Sequence, residues 1–275
     1  MDILTQIVDT KREEVRSAAG QVPLADLKMR CRDLPRPRPF IDALAQPGPS
    51  GVNIIAEIKR KSPSKGPLNL SLDPGEYAAE YAIGGARALS VLTDHLYFGG
   101  SGNDLRTARA AVNLPVLRKD FIISEYQIYE SRAMGADAVL LICRILPPSR
   151  CRELLALSRE LKMDALVEVH TEADLDTVLS IDARLVGINN RNLASFETDI
   201  RTAAALTSRL RPSQIPVAAS GIQSRADIEL NLKAGIFNFL VGESLVRTNN
   251  PAPLLAALQG LPVSAMETLP HGGKP

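Results

Sequence analysis

Tryptophan is absent from the 275-residue chain, aromatic residues make up only 4%, and cysteine and histidine occur three times each. Cys31, Cys143 and Cys151 are odd in number and form neither a C-x-x-C pair nor a cluster with the histidines. That pattern argues against a disulfide framework and a zinc site, and predicts buried thiols. No apolar run approaches the roughly 18 to 20 residues of a membrane span, and the opening MDILTQIVDTKREEV is too polar for a secretory h-region. The chain therefore reads as cytoplasmic. An excess of charge is missing too, since 32 basic residues against 31 acidic leave a net +1. No overall field draws the protein to nucleic acid or to an anionic membrane, so any anion must be bound locally. No apolar run is followed by G-x-G-x-x-G, the dinucleotide fingerprint, and the sequence calls for neither a metal nor a nucleotide cofactor.

What is present is a large apolar fraction, 45% hydrophobic against 23% charged, enough to bury a sizeable core. Ile3, Leu4, Ile7, Val8 and Val15 fall at helical spacing among Lys, Arg and Glu, which predicts an amphipathic helix docked on a larger body. Residues 33–51, DLPRPRPFIDALAQPGPSG, are rich in proline and glycine and read as a linker, so residues 1–51 form an extension and the body begins at Val52. From there one unit recurs: a short β-branched run, a polar loop, an amphipathic helix pattern, then a glycine. The runs are NIIAEIK, ARALSVLTD, LPVLRKDF, ADAVLLIC, DALVEVH, ARLVGINN, IPVAASG and FNFLVGES, eight in all. Helix patterns such as DPGEYAAEYAIGG, SEYQIYESRAMG and SRADIELNLKAG lie between them, with Gly85, Gly135 and Gly235 at helix ends where φ must turn positive. Strands alternating with helices, and apolar on both faces, require a parallel sheet covered on both sides. Eight such units over residues 52–262 point to a closed (β/α)8 TIM barrel with an N-terminal helical extension. An open doubly wound sheet is the rival, and the missing dinucleotide fingerprint speaks against it. The last residues, 263–275, show no period and are expected to be a disordered tail.

A barrel of this kind works at the C-terminal ends of its strands, so the polar residue on which each run ends is informative. The first run offers Glu57 and Lys59, the third Lys119, the fifth Glu168, the sixth Asn189 and Arg191, the seventh Ser220 with Gly221, and the eighth Gly242 with Glu243. Side chains two apart on a strand share a face about 6.6 Å apart, so if Ile54, Ala56 and Ile58 face the helices, Glu57 and Lys59 point into the mouth. A single charge at a strand end is ordinarily just solvated. Gathering several in one mouth is different, because desolvating an ion is costly unless it is paired or used. PVAASGI and FLVGES end in small residues just before helix patterns, which suits a phosphate held by backbone N–H groups, although tight turns alone would use the same residues.

These residues resemble a known family. EIKRKSPSKG resembles the signature of the indole-3-glycerol phosphate synthases, and further matches follow in order: SVLTDHLYFGGS, PVLRKDFIISEYQIYES, VEVH, GINNRNL, ASGI and LVGESL. The resemblance spans nearly the whole chain, including the N-terminal helix. It implies ring closure, decarboxylation and dehydration of 1-(2-carboxyphenylamino)-1-deoxy-D-ribulose 5-phosphate to indole-3-glycerol phosphate, CO2 and water, a carboxy-lyase step of tryptophan biosynthesis. It makes Lys119 a general acid and Glu168 a general base, with Glu57, Lys59 and Asn189 as further catalytic groups. Lys59, Ser62 and Arg191 become contacts to the anionic groups of the substrate, and Ser220, Gly221, Gly242 and Glu243 the phosphate site. At Glu243 some relatives carry serine, so only its backbone N–H is credited.

The chemistry needs these types of residue. Ring closure requires an acid for the C2′ carbonyl, and a like charge on Lys59 would lower the pKa of Lys119 toward neutrality. Dehydration requires a base. The expected partner is a phosphorylated small molecule, with no nucleic acid, membrane, metal or cofactor, and the chain is expected to be a monomer or weak homodimer. The competing readings are another phosphate-binding barrel isomerase, a Schiff-base aldolase using Lys119, and a silent metabolite-binding barrel.

Overall fold

The computed structural model describes residues 3–192 and 196–262; the expected tail at 263–275 lies outside them. Eight parallel strands close in chain order: β1 (Asn53–Ile58), β2 (Ala88–Leu92), β3 (Val116–Lys119), β4 (Ala138–Ile142), β5 (Asp164–Val169), β6 (Leu185–Asn189), β7 (Ile215–Ala219) and β8 (Asn238–Val241), with β8 pairing back onto β1. Each of the eight apolar runs contains one of them. The helices are α1 (Ile3–Gln21), α2 (Leu24–Cys31), α3 (Phe40–Leu44), α4 (Pro74–Ile83), α5 (Gly102–Ala111), α6 (Glu125–Met134), α7 (Pro148–Glu160), α8 (Glu172–Ser180), α9 (Arg201–Thr207), α10 (Arg225–Leu232), α11 (Glu243–Val246) and α12 (Pro251–Gln259). Among the described residues no helix is long and apolar enough to cross a membrane. The closed barrel excludes the open doubly wound sheet.

Period-two alternation sorts each strand into two cores. Ile54, Ala56 and Ile58 pack with Leu89, Val91, Val139, Leu141, Val167 and Val186 against the helices. Ile55, Leu117, Leu140, Leu166, Leu185, Val217 and Leu240 fill the barrel interior. Glu57, between Ala56 and Ile58, therefore points inward. Asp73, Ser101, Thr171 and Ser224 cap α4, α5, α8 and α10 with side-chain oxygens. Gly135 ends α6 at φ 91°, the left-handed turn expected of it.

The extension closes both ends of the barrel. Within the stretch read as a linker, Phe40, Ile41 and Leu44 of α3 are buried with the interior residues and plug the N-terminal end. The plug is pinned by the Arg38 N–H donating to Asp137 Oδ1 (2.7 Å) and the Ile41 N–H donating to Asp164 Oδ2 (2.8 Å), at the starts of β4 and β5. Proline spacing hid this turn, because five residues are too few to show a helical period. At the other end lies α1, whose Ile7 is buried while Ile3 and Leu4 are half-buried against the interior cluster. Its Lys11 is 4% exposed, with Nζ 3.0 Å from both Asp94 Oδ2 and Asp120 Oδ1 and 2.6 Å from Glu14 Oε2. Cys31, Cys143 and Cys151 are buried free thiols.

Candidate active site

All eleven candidate site residues, ten at the strand ends and Ser62 in the first loop, line one cavity of about 560 Å³ in the C-terminal mouth of the barrel, a size that suits a small substrate. Parallel register brings them there: Ile142 pairs with Glu168, Leu92 with Lys119 and Asn189 with Ala219, so the strand ends lie at one level. Ser62 reaches the cavity from a two-residue antiparallel ladder, Lys61–Ser62 with Gly66–Pro67, that stiffens the first loop. The adjacent asparagines divide their work. Asn189 faces the cavity, whereas Asn190 donates to the Ser220 carbonyl (3.0 Å) and accepts from the Ala203 N–H (3.0 Å), tying the turn after β7 to α9.

The charges form a linked set. Lys59 Nζ donates to Glu57 Oε1 at 2.5 Å, and Lys119 Nζ lies 3.9 Å from Glu168 Oε2. Asn189 Nδ2 donates to Glu168 Oε1 (3.3 Å), and Asn189 Oδ1 in turn accepts from the Arg191 N–H (3.0 Å). The Arg191 guanidinium donates to Ser64 Oγ (2.6 Å) and to Glu243 Oε2 (3.5 Å), joining the first, sixth and eighth loops. Burial alone would push the Glu57 carboxyl up, but the positive charges of Lys59, Lys119 and Arg191 together bring it below the usual carboxylate value. The like-charge contact expected between Lys59 and Lys119 is not the first contact of either. Each ammonium faces a carboxylate.

The corner above β7 and β8 is built from unusual backbone. Ser220 and Gly221 are both left-handed, at φ 67° and 80°, which for serine costs roughly 1–2 kcal/mol. The N–H groups of Gln223 and Ser224, at the start of α10, are already taken by Asp227 Oδ2. A ligand at this corner is therefore left with the turn itself, from Ser220 to Ile222, and with the segment from Gly242 to Ser244. The Glu243 carboxylate turns aside to Arg191 and Arg247.

The profile of the indole-3-glycerol phosphate synthase family matches residues 4–258. The chain belongs to that family. It is 55% identical over 258 residues to the indole-3-glycerol phosphate synthase of Desulfosudis oleivorans, covering 94% of this chain and 98% of that one. To the enzyme of the same name from Syntrophobacter fumaroxidans it is 49% identical over 259 residues, with the same coverage of both chains. Among solved structures it resembles the N-acetylmannosamine-6-phosphate 2-epimerase of Clostridium perfringens, with TM-score 0.59, 12% identity, and 82% and 96% of the two chains covered. At that identity the likeness concerns the barrel alone.

Membership in the indole-3-glycerol phosphate synthase family makes the chain a carboxy-lyase of tryptophan biosynthesis. Several residues that line its site were not singled out from the sequence. Ile3, Leu4 and Ile7 of α1 form part of the cavity wall with Leu92, Phe98 and Phe121, whose two phenyl rings stand 5.9 Å apart. Their only signal was an apolar stripe that any docked helix would show. Ser244 also lines the cavity, and its buried hydroxyl has no hydrogen-bond partner among the described residues. His170 packs beside Glu168, with Nε2 3.4 Å from Oε1.

Proposed function

We propose that this mouth closes, decarboxylates and dehydrates 1-(2-carboxyphenylamino)-1-deoxy-D-ribulose 5-phosphate, with Lys119 as general acid and Glu168 as general base. The observation that carries the reading is the facing of these two side chains, 3.9 Å apart, between an apolar wall and a corner of left-handed backbone. The phosphate sits at the corner, held by the N–H groups of Gly221, Gly242 and Glu243 with the hydroxyl of Ser220. The anilino ring lies on the wall formed by α1, Phe98 and Phe121, where its burial is favourable. Lys59, Ser62 and Arg191 take the remaining anionic and hydroxyl groups.

The aromatic carbon that bears the carboxylate attacks C2′ as Lys119 gives its proton to the carbonyl oxygen. Loss of CO2 returns the bonding pair to the ring and restores aromaticity. The new hydroxyl then takes a proton from the Lys59 ammonium and leaves as water, while Glu168 takes a substrate proton, forming the indole double bond. Glu57 holds Lys59 in place and, with Asn189, keeps the charges fixed before the reaction begins. Residues 1–51 serve as a cover to the catalytic barrel of residues 52–262. The near-zero net charge supports a small phosphorylated substrate as the partner, without nucleic acid or membrane, in a cytoplasmic monomer or weak homodimer.

The test separates the acid from the base. Lys119→Met lowers kcat about 10² to 10⁴-fold with little change in KM, because the lost interaction belongs to the transition state. Glu168→Gln still releases CO2 in a single turnover and accumulates a cyclised, undehydrated species. CO2 release by Lys119→Met at the normal rate, with none from Glu168→Gln, would reverse the two roles. Equal KM defects with intact kcat would make both residues binding groups.

A further inference from the structure

His170 neither gives nor takes a proton in this reaction, yet it stands beside the base. It follows β5 two residues after Glu168, so both side chains share the inward face. Its backbone N–H donates to Asp174 Oδ2 (2.9 Å) at the start of α8, which fixes the chain at this point. The side chain is only 2% exposed, and neither ring nitrogen has a hydrogen-bond partner among the described residues. Nε2 stands 3.4 Å from Glu168 Oε1, the same oxygen that accepts from Asn189, while Oε2 faces Lys119.

We propose that His170 is a positioning residue for Glu168: a small turn of its neutral ring brings the unpartnered Nε2–H, now 3.4 Å away, onto Oε1, so that in the working enzyme Oε1 is held by two donors and Oε2 is the oxygen that takes the substrate proton. The inference rests on the reading of Glu168 as the base. An ionised carboxylate can only accept, so the nitrogen that faces it must carry the hydrogen, which leaves Nδ1 as the bare nitrogen. The groups around the ring agree with a neutral imidazole. Burial holds its pKa below the ordinary histidine value, Glu168 on β5 and Asp174 on α8 oppose that, and Arg144 after β4 and Lys119 on β3 reinforce it. His170 also borders a second cleft of about 340 Å³, beside Thr171, Glu172, Asp199 and Arg201. In acid the ring gains a charge, and a cation beside Glu168 stabilises the carboxylate and weakens it as a base. The acid limb of the kcat profile thus includes the titration of His170.

Three variants decide the matter, each assayed for kcat, KM and the pH dependence of kcat. His170→Leu removes the donor and lowers kcat about 10- to 100-fold with KM within about twofold, the scale of a hydrogen bond to a charged group. His170→Gln puts an amide N–H near the Nε2 position but cannot titrate, so it restores most of kcat and moves the acid limb to lower pH. A His170→Leu enzyme with normal kcat overturns the inference. So does a His170→Gln enzyme as slow as His170→Leu with an unmoved acid limb, which would show that the ring merely fills space. Glu168→Gln keeps the two readings apart: if it turns over normally the base assignment itself is wrong, whereas a slow Glu168→Gln beside silent His170 variants removes His170 alone.

Discussion

A methyl group on Gly242 would stand 2.6 Å from Glu57 Oε1 and 3.0 Å from Glu57 Cβ, so this glycine is required by a carboxylate on the neighbouring strand. Glu57 holds Lys59, and displacing one moves the other. Gly242→Ala is therefore expected to lower kcat through the charge set as well as to weaken phosphate binding. Gly221 differs: its φ is 80°, and an added Cβ meets Thr198 Cγ2 at 2.6 Å in the loop after β6. Gly221→Ala costs about 1 kcal/mol in backbone strain and distorts the turn, so it should raise KM and the inhibition constant of inorganic phosphate with kcat less affected. Steady-state kinetics with phosphate as inhibitor distinguish the two, and identical profiles would show that neither contact governs its step. From sequence both glycines read as turn residues at strand ends that offer N–H groups to a phosphate, with nothing to tell the two apart. The approach of Glu57 to Gly242 arises because β1 and β8 pair across the closure of the barrel, and no local pattern records it.

At the scale of one element, α1 owes its seat to a buried charge as much as to its apolar stripe. Lys11 joins Asp94 after β2 to Asp120 after β3, and Asp120 also accepts from Arg118 (3.0 Å) and from Thr93 Oγ1 (2.5 Å). Burial alone would raise the Asp120 carboxyl, but the charges of Arg118 and Lys11 bring it down to about 2 from an ordinary 3.8. A depressed carboxylate stabilises the fold above its ordinary value and loses that stabilisation as pH falls toward the folded value. Lys11→Met leaves two buried carboxylates with one cation fewer, at a cost of about 3–5 kcal/mol near neutrality. The stability gap between wild type and Lys11→Met should shrink as pH falls from about 4 to 2. Urea unfolding at several pH values measures it, and a constant gap would mean that Lys11 contributes through packing alone. The amphipathic period located α1 correctly, and the eight apolar runs located the strands, because both are local patterns. Burial of Lys11 was not legible. In sequence it is one cation on a charged face, and its partners arrive from strand ends more than eighty residues away.

For the molecule as a whole, the extension is two closures on one barrel, and they should fail separately. Residues up to 33 carry α1 and α2, over the mouth and against α6. Phe40, Ile41 and Leu44 fill the opposite end, with Phe40 and Leu44 fully buried. A chain lacking residues 1–33 keeps the plug and the anchors Arg38 to Asp137 and Ile41 to Asp164, so the barrel should fold cooperatively. It loses Ile3, Leu4 and Ile7 from the cavity wall, and its KM should rise as the anilino ring loses apolar cover. Extending the deletion to residue 45 uncovers the interior residues Leu140, Leu166 and Leu185 and leaves Asp137 and Asp164 without their backbone donors. That chain should aggregate, or melt well below the shorter deletion, because a contiguous apolar end is open to water. Thermal unfolding and light scattering of both deletions, with KM measured on the first, test the division. If the two melted alike, the plug would add nothing to stability; if the shorter deletion kept its KM, α1 would be only a brace outside the reaction.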